Sequence, residues 1–423
     1  MTSKTSFRRG ALLCATVLMS SGPLHAQAVR TGVDVSAEAE ATSNPYLDQS
    51  SNDWVGAGTL EVRPWLVSET AKDRIELEAF ARGRAFTSTF DFEDSFGGAV
   101  RASHRASPRT SYYGQANVVS TSARSNFTRF NRGGFDLDPL TPADPTSPVQ
   151  PLDPATGLGP IIVPPLDDIT ILGLQNRSTT LAIGAGMNQQ IDTRSSLGIT
   201  VDYNRLWVSD SQASGYESVT LGANYSRRLS ARTSAGFAVN AGQSRYDAGF
   251  PKTTTLGAYV TAQHQLDAAW SLSGSVGVSS SHSPALGIIP EISEVGVAGN
   301  LSICRAQDTS RLCLGVSRSQ QPSLLGQVRT SDAIDFSYSE RLSARDRVDL
   351  YANYARSSAP SELSTPFDEV EIASVGATLT RALTPRLDGY LFGRASRSYG
   401  GYLTAEPSLS FGVGIRARLG DRR

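Results

Sequence analysis

The sequence predicts an all-β fold: a transmembrane, antiparallel, up-and-down β-barrel of about 18 strands. Three observations lead there. A short turn signature returns about every 38 residues, the residues between turns alternate between apolar and polar, and aromatic residues stand at two fixed distances from the turns. A constant period of that size means one supersecondary unit repeated along the chain.

The signature is an apolar or long residue, then Ser, Thr or Asp, then a small residue or Pro, then usually Arg. Clear copies are Ala106-Ser107-Pro108-Arg109, Ile191-Asp192-Thr193-Arg194, Leu229-Ser230-Ala231-Arg232, Leu342-Ser343-Ala344-Arg345 and Leu383-Thr384-Pro385-Arg386. Glu69-Thr70-Ala71-Lys72 and Leu266-Asp267-Ala268-Ala269 are weaker copies, and Cys304-Arg305-Ala306-Gln307 opens one more, spanning Arg305 to Leu312. Each unit has room for two strands of about ten residues, the length that crosses a bilayer at a tilt. A propeller blade would need four shorter strands in the same space, and the chain has no Gly-His or Trp-Asp signature. The eight short turns alternate with nine longer connections, centred near residues 46, 91, 148, 212, 249, 287, 324, 363 and 402.

Taken in chain order, residues Met1 to Ala28 read as a secretory signal peptide. Arg8 and Arg9 precede an apolar run from Ala11 to Met19, and Ala26-Gln27-Ala28 offers a small-x-small cleavage site. Residues 29–423 then form the barrel. In the first strand Val33, Val35, Ala37, Ala39 and Ala41 alternate with Asp34, Ser36, Glu38 and Glu40. In the next, Trp65 is out of step with Trp54, Leu60 and Val62, and a bulge at Pro64 would account for it. From Arg74 to Phe86 one parity reads Ile75, Leu77, Ala79, Ala81, Gly83, Ala85 and the other Glu76, Glu78, Phe80, Arg82, Arg84, Phe86. The connection at about 122–176 is rich in Pro and Asp, which resists regular structure and reads as a long outer loop, either extended or folded inward as a constriction. Beyond it the alternation resumes at Leu197–Tyr203, Val219–Tyr225 and Val348–Tyr354. The last strand, about Ser408 to Arg418, closes the barrel against the first.

Trp65, Tyr225 and Tyr338 lie four residues before a turn, and Tyr203 and Tyr354 twelve residues after one. Two such heights correspond to the two aromatic girdles of a membrane barrel. The composition agrees, with 39% hydrophobic and 19% charged residues and 38 glycines, because a barrel dilutes its lipid face with as many polar inner residues. The net charge of -1 leaves no basic footprint for nucleic acid.

Cys304 and Cys313 face one another across a hairpin on the polar parity. In an oxidising compartment that reads as a disulfide. Besides Glu76, Glu78, Phe80, Arg82, Arg84 and Phe86, the lumen-lining candidates are Asp349, Tyr351, Asn353, Arg386, Asp388, Tyr390, Phe392 and Arg394. Aromatic faces beside hydrogen-bonding groups suit sliding contact with sugar rings, while the plainer reading is wall filling with charges paired across strands. Past the signal peptide, His104, His264 and His282 are the remaining histidines, and none sits in a nucleophile-elbow or zinc-binding motif. The chain therefore reads as neither an enzyme nor a metal or cofactor protein.

The whole pattern, with the hairpin Leu301-Ser302-Ile303-Cys304 to Leu312-Cys313-Leu314-Gly315, resembles the β-barrel porin family that accompanies exopolysaccharide and capsule secretion in Gram-negative bacteria. That resemblance implies an integral outer-membrane barrel in contact with lipid, serving polysaccharide export beside a periplasmic export protein. A general diffusion channel, and a structural or receptor barrel without transport, are the alternatives.

Overall fold

The computed structural model describes residues 28–45, 54–87, 92–122, 177–209, 215–247, 249–286, 291–322, 328–359, 369–400 and 406–420. Residues 1–27 of the expected signal peptide, the Pro-rich connection and the centres of most other long connections lie outside the described residues.

Eighteen strands form one sheet. They are β1 (Ala28–Ser43), β2 (Trp54–Glu69), β3 (Asp73–Phe86), β4 (Glu93–Ser107), β5 (Thr110–Thr121), β6 (Ser178–Gln190), β7 (Ser195–Val208), β8 (Tyr216–Arg228) and β9 (Thr233–Tyr246). The second half runs β10 (Thr253–Gln265), β11 (Trp270–Ser283), β12 (Ile292–Ala306), β13 (Ser310–Pro322), β14 (Val328–Arg341), β15 (Asp346–Ser358), β16 (Glu369–Thr384), β17 (Leu387–Tyr399) and β18 (Ser408–Gly420). Each strand pairs antiparallel with the next, and β1 pairs with β18 from Gly32↔Gly420 to Ser43↔Leu409, so the sheet closes into a barrel. The strands are longer than the ten residues expected; β1, β2 and β16 reach 16.

Up-and-down order puts all eight short turns at one end and the long connections at the other. The turn signature has a local cause: the oxygen of its second residue accepts from the backbone N–H two positions on. Ser230 takes the N–H of Arg232 at 3.1 Å, Ser343 that of Arg345 at 3.0 Å, Asp192 that of Arg194 at 2.6 Å and Thr384 that of Arg386 at 3.2 Å. Ser, Thr and Asp supply this bond because their short side chains reach their own turn. The two Pro-containing copies are tighter, with register shifts at Arg105/Ser107 and Ala382/Thr384. The Cys304 hairpin is also tighter than expected, because β12 runs on to Ala306 and β13 starts at Ser310.

Register assigns the faces. Tyr390 on β17 reaches across β18 to Glu38 on β1 (Oη to Oε1, 2.8 Å), and Arg84 on β3 reaches across β2 to Glu40 on β1. Side chains two strands apart meet this way on the concave side of a curved sheet, so these residues point into the lumen. Directly paired residues share a face. The assignment therefore passes from strand to strand along the row Thr42–Ser410–Arg394–Gly376–Tyr351–Ser337–Cys313–Cys304.

The opposite parity is convex and carries large exposed apolar side chains, such as Leu60, Val118, Leu221, Val260, Val297, Val375 and Phe411. Tyr112, Tyr225, Phe237 and Trp270 stand on it near the short turns. Trp54, Phe96, Trp207 and Tyr399 stand on it near the long connections, with Tyr203 and Tyr354. Trp65 does not belong to either belt. The β2–β3 register is the same before and after Pro64 (Val62↔Ala81, Trp65↔Glu78), so there is no bulge. Pro64 lacks an N–H and only interrupts the ladder. Trp65 thus points inward, 6% exposed, its ring flat over Gly32 of β1, where any Cβ would overlap it.

Candidate functional site

The candidate site is the concave wall. The row containing Arg394 carries the disulfide at its other end: Cys304 and Cys313 are direct ladder partners, bonded through sulfur, with Cα atoms 4.2 Å apart.

On β1 to β4 the wall is a lattice of ion pairs. Arg63 bridges Glu61 and Glu78, each at 3.0 Å, and Arg84 sits between Glu40 and Glu93. Glu76 lies between Arg74 (2.6 Å) and Arg101 (3.8 Å). Arg82 shares this face by parity, and Phe86 lies under the Arg84 guanidinium at 4.6 Å. Phe80 lies over Gly97 of β4, its direct partner.

On β14 to β18 charges and rings are layered. Asp349 accepts from Arg347, Asp388 from Arg418 at 2.8 Å, and Asn353 donates to Asp335 at 2.5 Å. Tyr351 covers Gly376, Phe392 covers Gly412 and Tyr390 covers Gly414, each glycine being the ring's partner on the next strand. A ring that lies flat this way needs a hydrogen at the position beneath it. Arg394 then stacks on Phe392 with its guanidinium carbon 4.3 Å from the ring centre. Arg386 is the one lumen candidate that the fold moves elsewhere: it lies in the two-residue turn after Thr384, at the rim.

From β5 to β12 the wall is different. Gln115, Asn117, Thr200, Asn224, Asn240, Thr255, Ser275 and Asn300 share the concave face, where Asp202 and, near the long-connection end, Glu294 carry charge. A small apolar cluster of Leu206, Tyr216 and Tyr246, with Val208 and Phe250 against it, lies at the long-connection end. The histidines lie on the convex side or at the rims: His104 contacts Asp73 at 2.7 Å, His264 contacts Thr233 at 2.8 Å, and His282 lies 3.8 Å from Glu291.

The inward parity is legible in the sequence, whereas the rings' glycine seats and the grouping of Asn353, Ser374 and Ser396 on β15 to β17 are not. Both depend on which strands become neighbours and in what register.

No protein-family profile matches the chain, and no curated protein matches it. Solved structures do. Pseudomonas aeruginosa OpdL is 12% identical with a TM-score of 0.45, over 93% of this chain and 99% of that one. Acinetobacter baumannii OccAB3 is 11% identical with a TM-score of 0.44, over 93% and 99%. The FrpB iron transporter from Neisseria meningitidis is 8% identical with a TM-score of 0.46, over 92% and 81%. With TM-scores below 0.5 these likenesses carry no weight for cargo or mechanism.

Proposed function

We infer that the chain is a water-filled channel through the outer membrane of a Gram-negative bacterium, passing small polar solutes by diffusion. One observation carries this reading: a closed ring of eighteen strands with an apolar convex face and a concave face of hydroxyl, amide and paired charged groups. A ring that wide leaves a lumen too large for side chains to fill. The convex face, with aromatic belts at both ends, matches what lipid requires of a spanning barrel.

Export of an exopolysaccharide, with a periplasmic export protein as partner, rests on the sequence resemblance alone. Among the described residues no feature of the lumen wall favours a polymer over a small solute. Purified protein inserted into planar bilayers should give stepwise ohmic currents, and vesicles containing it should swell in iso-osmotic sugar. A folded barrel that inserts but passes neither ions nor sugar would overturn the channel reading. Loss of surface polysaccharide in a deletion strain, with conductance absent, would favour export.

A further inference from the structure

Most charged groups on the inner wall are paired; Arg394 is different. Among the described residues no carboxylate lies within ion-pair distance of it, and its Nε is buried with no hydrogen-bond partner. Its neighbours share that condition. Ser374 and Ser396 are direct ladder partners, 6% and 4% exposed, and both hydroxyls are buried without a partner. Asn353, the partner of Ser374 on the other side, gives its amide N–H to Asp335, and its Oδ1 is likewise buried and unpartnered. Arg394 stands two residues from Ser396 on the same strand and face, opposite Gly376, which also pairs with Tyr351.

Four unsatisfied polar atoms thus fall in one patch three strands wide. Buried polar groups without partners are uncommon, and the charge of the patch says what would satisfy them. One fixed cation and two hydroxyl donors face one amide oxygen, and the adjoining acid, Asp335, already accepts from Asn353. A guanidinium with no carboxylate to neutralise it takes an oxyanion, with the planar fork matching two oxygens at once. Its orientation is set beforehand by the stack on Phe392, which is itself seated on Gly412.

We propose that Arg394, Ser374 and Ser396 form an oxyanion subsite on the lumen wall, binding the carboxylate or phosphate group of a small solute in transit. Tyr351, over Gly376, and Phe392, over Gly412, lie beside it. The subsite rests on the channel reading for its access to solute. Its binding can be measured without any current.

The test is calorimetric titration of the refolded barrel in neutral detergent with sodium benzoate and, separately, inorganic phosphate, with folding checked by gel mobility before and after boiling. Saturable binding of at least one probe is expected in the wild type. Arg394→Gln should weaken it by about tenfold or more, since hydrogen bonds to charged groups are the strong ones. Arg394→Lys, which keeps the charge and loses the fork, should fall between. Ser374→Ala with Ser396→Ala should weaken binding about three- to tenfold. Asp202→Asn, on the opposite wall, should leave it within about twofold. Absence of saturable binding to folded wild type, or equal binding by wild type and Arg394→Gln, would overturn the subsite. A barrel that binds the probes yet passes no ions would retain the subsite and reject the channel.

Discussion

Between β5 and β12 the concave face is built from Ser, Thr, Asn, Gln and Gly, whereas from β14 through β18 to β4 it is built from Arg, Asp and Glu laid against aromatic rings. The neutral wall can exchange each of its hydrogen bonds with water at little cost, so it holds nothing in place. On the other wall, Arg84 between Glu40 and Glu93 is fixed from two sides, and so is Arg63 between Glu61 and Glu78. The two halves divide the work: one side stays wet and uncommitted, the other fixes side chains in place and leaves Arg394 free to receive a solute.

The largest expected effect comes from breaking the paired wall. Arg84→Ala would leave Glu40 and Glu93 facing each other at a site where all three side chains are less than a tenth exposed. It should cost about 3–5 kcal/mol in urea unfolding from lipid vesicles, the usual loss when one partner of a buried pair is removed. Asn240→Ala on the neutral wall, which removes a hydrogen bond to Tyr259, should cost only about 1 kcal/mol. Equal losses at the two positions would erase the distinction between the walls.

A middling effect is expected at the ring seats. Gly414→Ala should push Tyr390 off the wall and away from Glu38, at a cost of about 1–3 kcal/mol by overpacking. Gly315→Ala, at a concave position whose nearest neighbour atoms lie 3.9 Å or more away, should be nearly silent by the same measurement.

The smallest effect concerns pH and is read at two turns beneath the neutral wall. The carboxyl of Asp192 is held below its ordinary pKa first by the N–H of Arg194, and that of Asp267 by the N–H groups of Trp270 and Ala269. A depressed folded pKa contributes stability above the unfolded value, about 3.9, and loses it as pH falls through the folded value. Unfolding should therefore quicken below about pH 4, and Asp192→Asn with Asp267→Asn should flatten that rise. The turns at Ser343 and Thr384, beneath the charged wall, cap their N–H groups with hydroxyls, which carry no charge to titrate.

The barrel itself was legible because its causes are local. Ser230, Asp192 and Thr384 each satisfy an N–H two residues away, so the turns show in a short window, and alternation shows which residues share a face. What lies across strands was not legible. Trp65 looked like a girdle residue displaced by a bulge because its partner, Gly32, is on another strand. Ser374, Ser396 and Asn353 are unremarkable in sequence and become a patch only when β15, β16 and β17 align. Arg386 fitted the lumen parity and lies one residue outside the strand that would have carried it.

A channel of this kind requires a wet concave face and a convex face in lipid. Single cysteines at Asn240 and Thr378 (concave) and at Val239 and Leu379 (convex) can be exposed in lipid vesicles to a charged, membrane-impermeant thiol reagent, with labelling read by mass spectrometry. Rapid labelling is expected at 240 and 378, and protection at 239 and 379. Labelling of the convex pair with protection of the concave pair, or equal labelling of all four, would contradict it.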